Sequence, residues 1–251
     1  MNAELLLKAD ITAFITSQVA ELDTGGFFRS PLVGFATESD PLFAQLKSIV
    51  GSHHLLPEDV LPEAKSAVAF FIPFSTEIVN SNRGEQVSRQ WAKAYIHGND
   101  VINRTCAALT TYLKDKDISA GAVPATHNYN PDTLLSSWSH RSVAYIAGLG
   151  RFGINRMLLS TAGGAGRYGS MLISAELPGD PRPPDNAASE PCLYLKDGSC
   201  SFCIRNCPVQ ALSVQGINRK RCNEHLLKVS EAFSDIGFCD VCGKCVVGPC
   251  A

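Results

Sequence analysis

The sequence predicts an α+β protein: an α/β domain over residues 1–185, followed by a small cysteine-rich module over residues 186–251. Three observations carry this. A continuous apolar run, Ala67 to Ile72, and a second run, Tyr168 to Leu177, have strand character, while the stretches around them carry helical stripes. Five prolines between Pro178 and Pro191 mark a linker. Nine of the ten cysteines lie between Cys192 and Cys250.

Taken in order, residues 3–22 read as an amphipathic helix, with Leu5, Leu6, Ile11, Phe14, Ile15, Val19 and Leu22 on its stripe, ended by Gly25-Gly26. A loop follows through Pro31, Pro41 and Pro57, with a short helix near 41–50 and the pair His53-His54 on a solvated stretch. The segment Leu61 to Pro73 is a turn feeding a strand covered on both faces. From Glu85 to Lys116 the pattern is a long helix or helix pair, and Cys106 on its apolar stripe is a small core residue. Gly121 to Asp132 is a loop or short strand, and a helix from Trp138 closes on Gly148.

The glycine-rich stretches carry no nucleotide signature. Gly148-Leu-Gly150-Arg-Phe-Gly153 has the wrong spacing for a dinucleotide fingerprint and follows no strand. Gly163 to Gly169 lacks the lysine of a phosphate loop. Both read as turns where backbone approaches something closely.

Composition narrows the classes. Of 251 residues, 45% are hydrophobic and 18% charged, enough apolar content for a core. The net charge of −2 gives no electrostatic ground for a nucleic-acid partner. No apolar run is long enough for a transmembrane helix, and the first residues lack the basic start of a signal peptide. With so many cysteines, this points to a reducing cytoplasm.

The cysteine spacing is the strongest chemical signal. Cys200-Ser-Phe-Cys203-Ile-Arg-Asn-Cys207-Pro208 reproduces the C-x2-C-x3-C-P end of the bacterial ferredoxin run, whose last cysteine ligates the other of two clusters. Cys239-Asp-Val-Cys242-Gly-Lys-Cys245 forms a second block. A disulfide framework does not suit a chain without a secretory signal. Zinc ribbons need four or eight ligands in paired knuckles, which nine cysteines fit poorly. Two [4Fe-4S] clusters need eight thiolates. The metal candidates are therefore Cys192, Cys200, Cys203, Cys207, Cys222, Cys239, Cys242, Cys245 and Cys250, with one to spare.

These residues carry a resemblance. Leu61-Pro-Glu-Ala-Lys-Ser66, Tyr95-Ile-His-Gly-Asn-Asp100, Arg141 with Ala147-Gly-Leu-Gly-Arg-Phe-Gly-Ile-Asn155, and Arg221-Cys222 between the cysteine blocks resemble the epoxyqueuosine reductase family, related to reductive dehalogenases. The resemblance runs from about residue 57 to 250. It implies a nitroreductase-like α/β domain able to bind cobalamin, fused to a ferredoxin-like double-cluster module. It also implies a corrinoid reductase that takes electrons from a donor such as ferredoxin or flavodoxin and acts on a small molecule. The rival class is an electron carrier serving a partner enzyme, with no catalysis of its own. For the enzyme reading the catalytic candidates are Tyr95, Asp132 and Arg141, and the cofactor-binding candidates are His127, His140, Gly148, Gly150, Gly153 and Asn155.

The same resemblance assigns Cys207, Cys222, Cys239 and Cys242 to one cluster. Cys192, Cys200, Cys203 and either Cys245 or Cys250 go to the other. Plain ferredoxin spacing gives a rival set, with Cys245 joining Cys207, Cys239 and Cys242 and Cys222 left free. Three positions depart from the family. Leu134 stands where the family has its proton-donating aspartate, with Asp132 two residues away; Ile154 replaces a lysine; and a seven-residue gap follows Cys192. The family's tRNA-reading enzymes continue into helical repeats, whereas this sequence runs one residue past Cys250, so nucleic acid is not an expected partner.

Overall fold

The computed structural model describes residues 3–125 and 129–251. Helix α1 (Ala3–Leu22) leads to strand β1 (Leu32–Thr37), helices α2 (Pro41–Ile49) and α3 (Pro57–Val60), strand β2 (Ser66–Pro73), helix α4 (Thr76–Ser81) and the long helix α5 (Arg89–Lys114). Strand β3 (Ala120–Ala122) follows, then a hairpin of β4 (Tyr129–Asn130) and β5 (Leu135–Ser136), and helix α6 (His140–Ile146). A second hairpin, β6 (Arg151–Phe152) and β7 (Leu158–Leu159), precedes strand β8 (Gly166–Ile173). The cysteine-bearing part adds helices α7 (Leu193–Asp197), α8 (Phe202–Arg205) and α9 (Arg219–Ala232). None of these helices is long and apolar enough to cross a membrane.

The main sheet has the order β1-β2-β8-β3, and every pairing is antiparallel. All eight residues of β2 are buried, which is what its unbroken apolar run demands. Side chains alternate across a strand, so Val68, Phe70 and Ile72 face one layer, with Ile11 and Ile15 of α1 and Ile102 and Leu109 of α5. Ala67, Ala69 and Phe71 face the other, with Phe43 of α2 and Val143 and Ile146 of α6. The sheet is thus sandwiched between helices. Gly169 permits this approach, because a Cβ there would stand 2.5 Å from the Phe70 ring and 2.7 Å from Ile102.

Side-chain caps set the helix starts. The Ser88 hydroxyl accepts from the Trp91 amide at α5, and Asn218 accepts from the Arg221 amide at α9. At α2, Asp40 accepts from the Leu42 amide and Pro41 fills the first turn.

Several expectations change. Leu5 and Leu6 lie on the solvent side of α1, because its buried stripe begins at Ile11. Strand β8 ends at Ile173 rather than Leu177, where the chain turns so that the Leu177 amide donates to Ser66 Oγ at 2.8 Å. His54 is buried, not solvated: the Ser139 amide donates to its Nε2 at 3.0 Å, and its Nδ1 therefore donates to the Leu55 carbonyl at 2.7 Å. The proline-rich stretch is strapped to the sheet edge. The Asp180 amide donates to the Phe35 carbonyl while its carboxylate accepts from the Phe35 amide and from Lys8.

Burial of β2 makes its aromatics the test of this sandwich. Phe70→Ala is expected to cost about 3–5 kcal/mol in urea unfolding, whereas Ile49→Ala, on the exposed side of α2, is expected to stay within about 0.5 kcal/mol.

Candidate functional site

The cysteine-bearing segment 239–250 lies against the α/β domain through side chains of both. Lys244 is buried, and its ammonium donates to the carbonyls of Asn82 (2.8 Å), Gly84 (2.5 Å) and Gln86 (2.6 Å). Three donors meet three acceptors, so the buried charge is fully solvated by backbone. Asn82 reciprocates, donating from Nδ2 to the Cys242 carbonyl at 2.9 Å and accepting from the Ser88 amide. Asn155 Nδ2 donates to the Cys245 carbonyl at 2.9 Å, and the Gly164 amide donates to that of Cys250 at 2.8 Å.

This docking leaves two cavities. The smaller, about 40 Å³, is lined by Cys192, Cys200, Cys203 and Cys250 with apolar neighbours such as Ile154, Leu159 and Phe202. The larger, about 330 Å³, lies between the sheet and the module. Its wall includes Trp91, Tyr95, Trp138, Arg141, Arg167 and Tyr168 from the α/β domain, and Cys222, Cys242 and Cys245 from the module.

The thiols fit an iron–sulfur group. Burial pushes the Cys250 thiol up to about 11, with Cys203, Cys192 and Cys200 adding to the rise. Burial likewise pushes Cys222 to about 11, helped by Cys242 and Cys207, and drives Cys245 higher still. Thiols this crowded and dry keep their protons unless a cation replaces them, which is what a bound cluster does. Cys207 lies in the same neighbourhood, its sulfur accepting from the Ala211 amide at 3.2 Å. Among the described residues, no three His, Cys, Asp or Glu side chains gather closely enough for a single metal ion. Cys106 is a core residue as expected, its thiol pushed up to about 12 by burial.

The large cavity has a distinct electrostatic character. The Tyr95 hydroxyl donates to Asp240 Oδ1 at 2.5 Å, and the Arg167 guanidinium lies over the Tyr95 ring at 4.4 Å. Asn99 Oδ1 accepts from Arg167 Nε and Nη2 at 2.9 and 2.6 Å. Arg141 contacts Met157 Sδ at 2.7 Å and keeps open area toward the cavity, although protein atoms crowd around it. That crowding, and then Arg167, lowers its pKa, yet a guanidinium remains a cation. The Trp91 indole N–H is buried with no acceptor among the described residues. Two cations, an unused donor and an aromatic wall suit a planar cofactor or an anionic substrate.

The candidates read from the sequence separate here. Tyr95, His140 and Arg141 come together in the cavity wall. Asp132 does not: it is exposed in the turn of the β4–β5 hairpin, and only Tyr129 and Ser136 of that hairpin reach the wall. Leu134, at φ +56°, adds no proton donor there. His127 lies outside the described residues. The three glycines serve close packing. A Cβ on Gly148 would stand 2.7 Å from the Pro181 carbonyl oxygen, and one on Gly150 2.2 Å from that of Leu159. One on Gly153 would meet Leu159 Cδ1 at 2.9 Å. Asn155 borders the small cavity rather than the large one. Sequence reasoning missed Arg167 and Asp240 as cavity residues; the aromatic at Tyr95 and the cysteine spacing were the only cues to either.

His140 has both nitrogens committed. The Pro124 carbonyl can only accept, so Nε2 carries the proton (3.1 Å) and Nδ1 accepts from Ser170 Oγ at 2.8 Å. Ser170 in turn accepts from Trp138 Nε1 at 3.0 Å. The ring is a strut of the cavity wall, and burial lowers its pKa from 6.5 to about 4.

Comparison with known proteins follows this geometry. No protein-family model matches the chain. It is 28% identical over 191 residues to the epoxyqueuosine reductase of Bacillus subtilis (strain 168), covering 71% of this chain and 44% of that protein. It is 24% identical over 234 residues to that of Staphylococcus aureus (strain NCTC 8325 / PS 47), covering 81% and 54%. The chain is similar to epoxyqueuosine reductases. It spans about half the length of these relatives. An epoxyqueuosine reductase crystallised with an epoxyqueuosine-modified tRNA stem loop superposes with a TM-score of 0.59 at 22% identity, over 95% of this chain and 64% of that one. A catabolic reductive dehalogenase in complex with 3-bromo-4-hydroxybenzoic acid gives 0.53 at 19% identity, over 85% and 28%. The mixed helix and sheet architecture is thus shared with both groups, and the resemblance read from the sequence is borne out. The expectation that nucleic acid is not a partner meets a contrary finding in one neighbour of the same fold, which was crystallised with a tRNA stem loop.

A neutral, buried His140 makes stability depend on pH. Between pH 6.5 and 4 the unfolded chain binds a proton that the folded ring refuses, so stability is complete above pH 6.5 and falls as pH drops toward 4. The loss is about 3 kcal/mol, and His140→Asn is expected to flatten denaturation midpoints across this window. An equally steep profile in the variant would assign the acid sensitivity to other groups.

Proposed function

We propose that the chain is an iron–sulfur reductase. In this reading the module is ferredoxin-like and carries two [4Fe-4S] clusters, and the α/β domain is nitroreductase-like and binds a corrinoid or related planar cofactor in the large cavity. The observation that carries it is the shared wall: Cys222, Cys242 and Cys245 border the same cavity as Tyr95, Arg141 and Arg167. A cluster held by these thiols would supply electrons directly to whatever the cavity binds.

A corrinoid bound in the cavity would supply low-valent cobalt as the reductant. The chain's own share is positioning and charge. Arg141 and Arg167 hold negative charge on the substrate, and the aromatic wall displaces water around it. Tyr95, tied to Asp240, presents the one hydroxyl placed to pass a proton among the candidates above; Asp132 would need a different hairpin position to do so. One relative, the epoxyqueuosine reductase of Bacillus subtilis, has been crystallised with its catalytic aspartate loop swung out of the active site. An analogous movement of the β4–β5 hairpin would bring Asp132 inward. The electron-carrier reading has less support, since it leaves the cationic, aromatic cavity without a use.

The substrate in this reading is a small anionic molecule or a modified nucleoside presented by RNA. The tRNA stem loop bound to one neighbour of the same fold supports testing RNA first. The test of the reading is metal content of the anaerobically purified protein after cobalamin has been offered. Roughly eight irons per chain, with stoichiometric cobalt, is the expected result. Eight irons without cobalt would leave an electron carrier, and absence of iron would sink both.

A further inference from the structure

The cysteine segment carries a charge that thiolate ligation does not require. Lys244 follows Cys242 and precedes Cys245, and it is only 2% exposed. We propose that this buried ammonium raises the reduction potential of the cluster held through Cys242, so that an electron delivered to the module rests beside the large cavity. This rests on the two-cluster reading above and gives one residue of that site an electrostatic role.

The charge state follows from geometry. Nζ faces the carbonyls of Asn82, Gly84 and Gln86. Carbonyls only accept, so Nζ supplies three hydrogens, and only the ammonium has three. Carbonyls also solvate a charge without cancelling it. Among the described residues no carboxylate lies within ion-pair reach of Lys244, whereas Arg89, Arg151 and Arg182 are each paired with an aspartate.

The cation is fixed beside a ligand. Asn82 accepts from the ammonium through its own carbonyl and donates from Nδ2 to the Cys242 carbonyl at 2.9 Å, so one residue bridges the two. Asn206 Nδ2 donates to the Lys244 carbonyl at 2.7 Å, tying that backbone to the residue before Cys207. Both ligand sets drawn from the sequence count Cys242. The neighbouring cation Arg83 is exposed and screened by water, but Lys244 acts from the interior, where a charge is felt more strongly.

Reduction adds one electron, from a low-potential one-electron carrier, to a cluster made anionic by its thiolates, and no bond forms or breaks. A fixed cation favours the added negative charge, and net charge is one of the terms that set a cluster's potential. Lys244 does not line the large cavity, so it exerts this effect without touching what the cavity binds.

Iron content and redox titration followed by electron paramagnetic resonance test this, on anaerobic wild type and on Lys244→Gln, Asn82→Asp and Asn82→Ser. Lys244→Gln deletes the cation. Asn82→Asp keeps it but sets a carboxylate on the residue that holds it, and Asn82→Ser removes the same amide without adding charge. The first two are expected to lower one of the two potentials by about tenfold in the reduction equilibrium, about 59 mV for one electron. The other potential, and both in Asn82→Ser, are expected to match wild type. A loaded Lys244→Gln at wild-type potential overturns the proposal. So does an Asn82→Ser shift equal to that of Asn82→Asp, which would make position rather than charge the cause. If Lys244→Gln loses its iron, the two Asn82 variants decide; loss from all three leaves the cation a structural clasp alone and also overturns it. Wild type without iron instead fails the reading on which the proposal rests.

Discussion

The buried ammonium of Lys244 is the contact on which the site depends. It lies between Cys242 and Cys245 in sequence and is held by three carbonyls of the segment between α4 and α5. Removing its partners would leave a bare charge in the interior, a cost of several kcal/mol, so the cysteine segment and the α/β domain are fixed to each other in one register. Asn82 closes the clasp from the other side by holding the Cys242 carbonyl. Neither residue borders a cavity, yet together they hold the segment that carries Cys242 and Cys245 opposite Tyr95 and Arg167.

That placement explains the mixed character of the large cavity. One wall is a sheet face and helix α5, rigid because β2 is buried on both sides; the other joins the irregular segment 240–246 to Cys222 and Leu226 of α9. The rigid wall supplies aromatics and guanidinium groups whose own partners, Asn99 for Arg167 and Asp240 for Tyr95, hold them in position. That second wall supplies thiols, Cys222 from the helix and Cys242 and Cys245 from the irregular segment. His140 belongs to the rigid wall too, spending both nitrogens on the frame.

Much of the scaffold was legible in the sequence because continuous burial leaves a continuous apolar run, as in Ala67 to Ile72. The long stripe of α5 was legible for the same reason. Helix α9 was not, since only Val229 and Ser230 of its 14 residues are buried and its sequence carries almost no stripe. His54 misled because polarity is not exposure: its two hydrogen bonds are to backbone groups far apart in sequence, which no local pattern records. Glycines 148, 150 and 153 were rightly read as sites of close approach, but what they approach, the proline-rich strap and Leu159, is decided by tertiary packing. The cysteine spacing pointed clearly to thiolate ligation and poorly to which thiols would share a site. Which thiols converge depends on how residues 239–250 dock, and that docking uses Asn82, Asn155 and Gly164, none of which resembles a ligand.

The strap of residues 180–185 along β1 bears on how the chain matures. Asp180 occupies both hydrogen-bonding groups of Phe35 on an edge strand that would otherwise stay open to pairing with another chain. Its own order depends on Lys8, and that of Arg182 on Asp40, so it can form only after α1 and β1 are in place. Lys8 and Asp180 are 172 residues apart and Lys244 and Gly84 are 160 apart, so both the strap and the cysteine segment are closed by contacts between the two ends of the chain. The same long-range closure that shapes the large cavity thus seals the open edge of the sheet against pairing with another molecule.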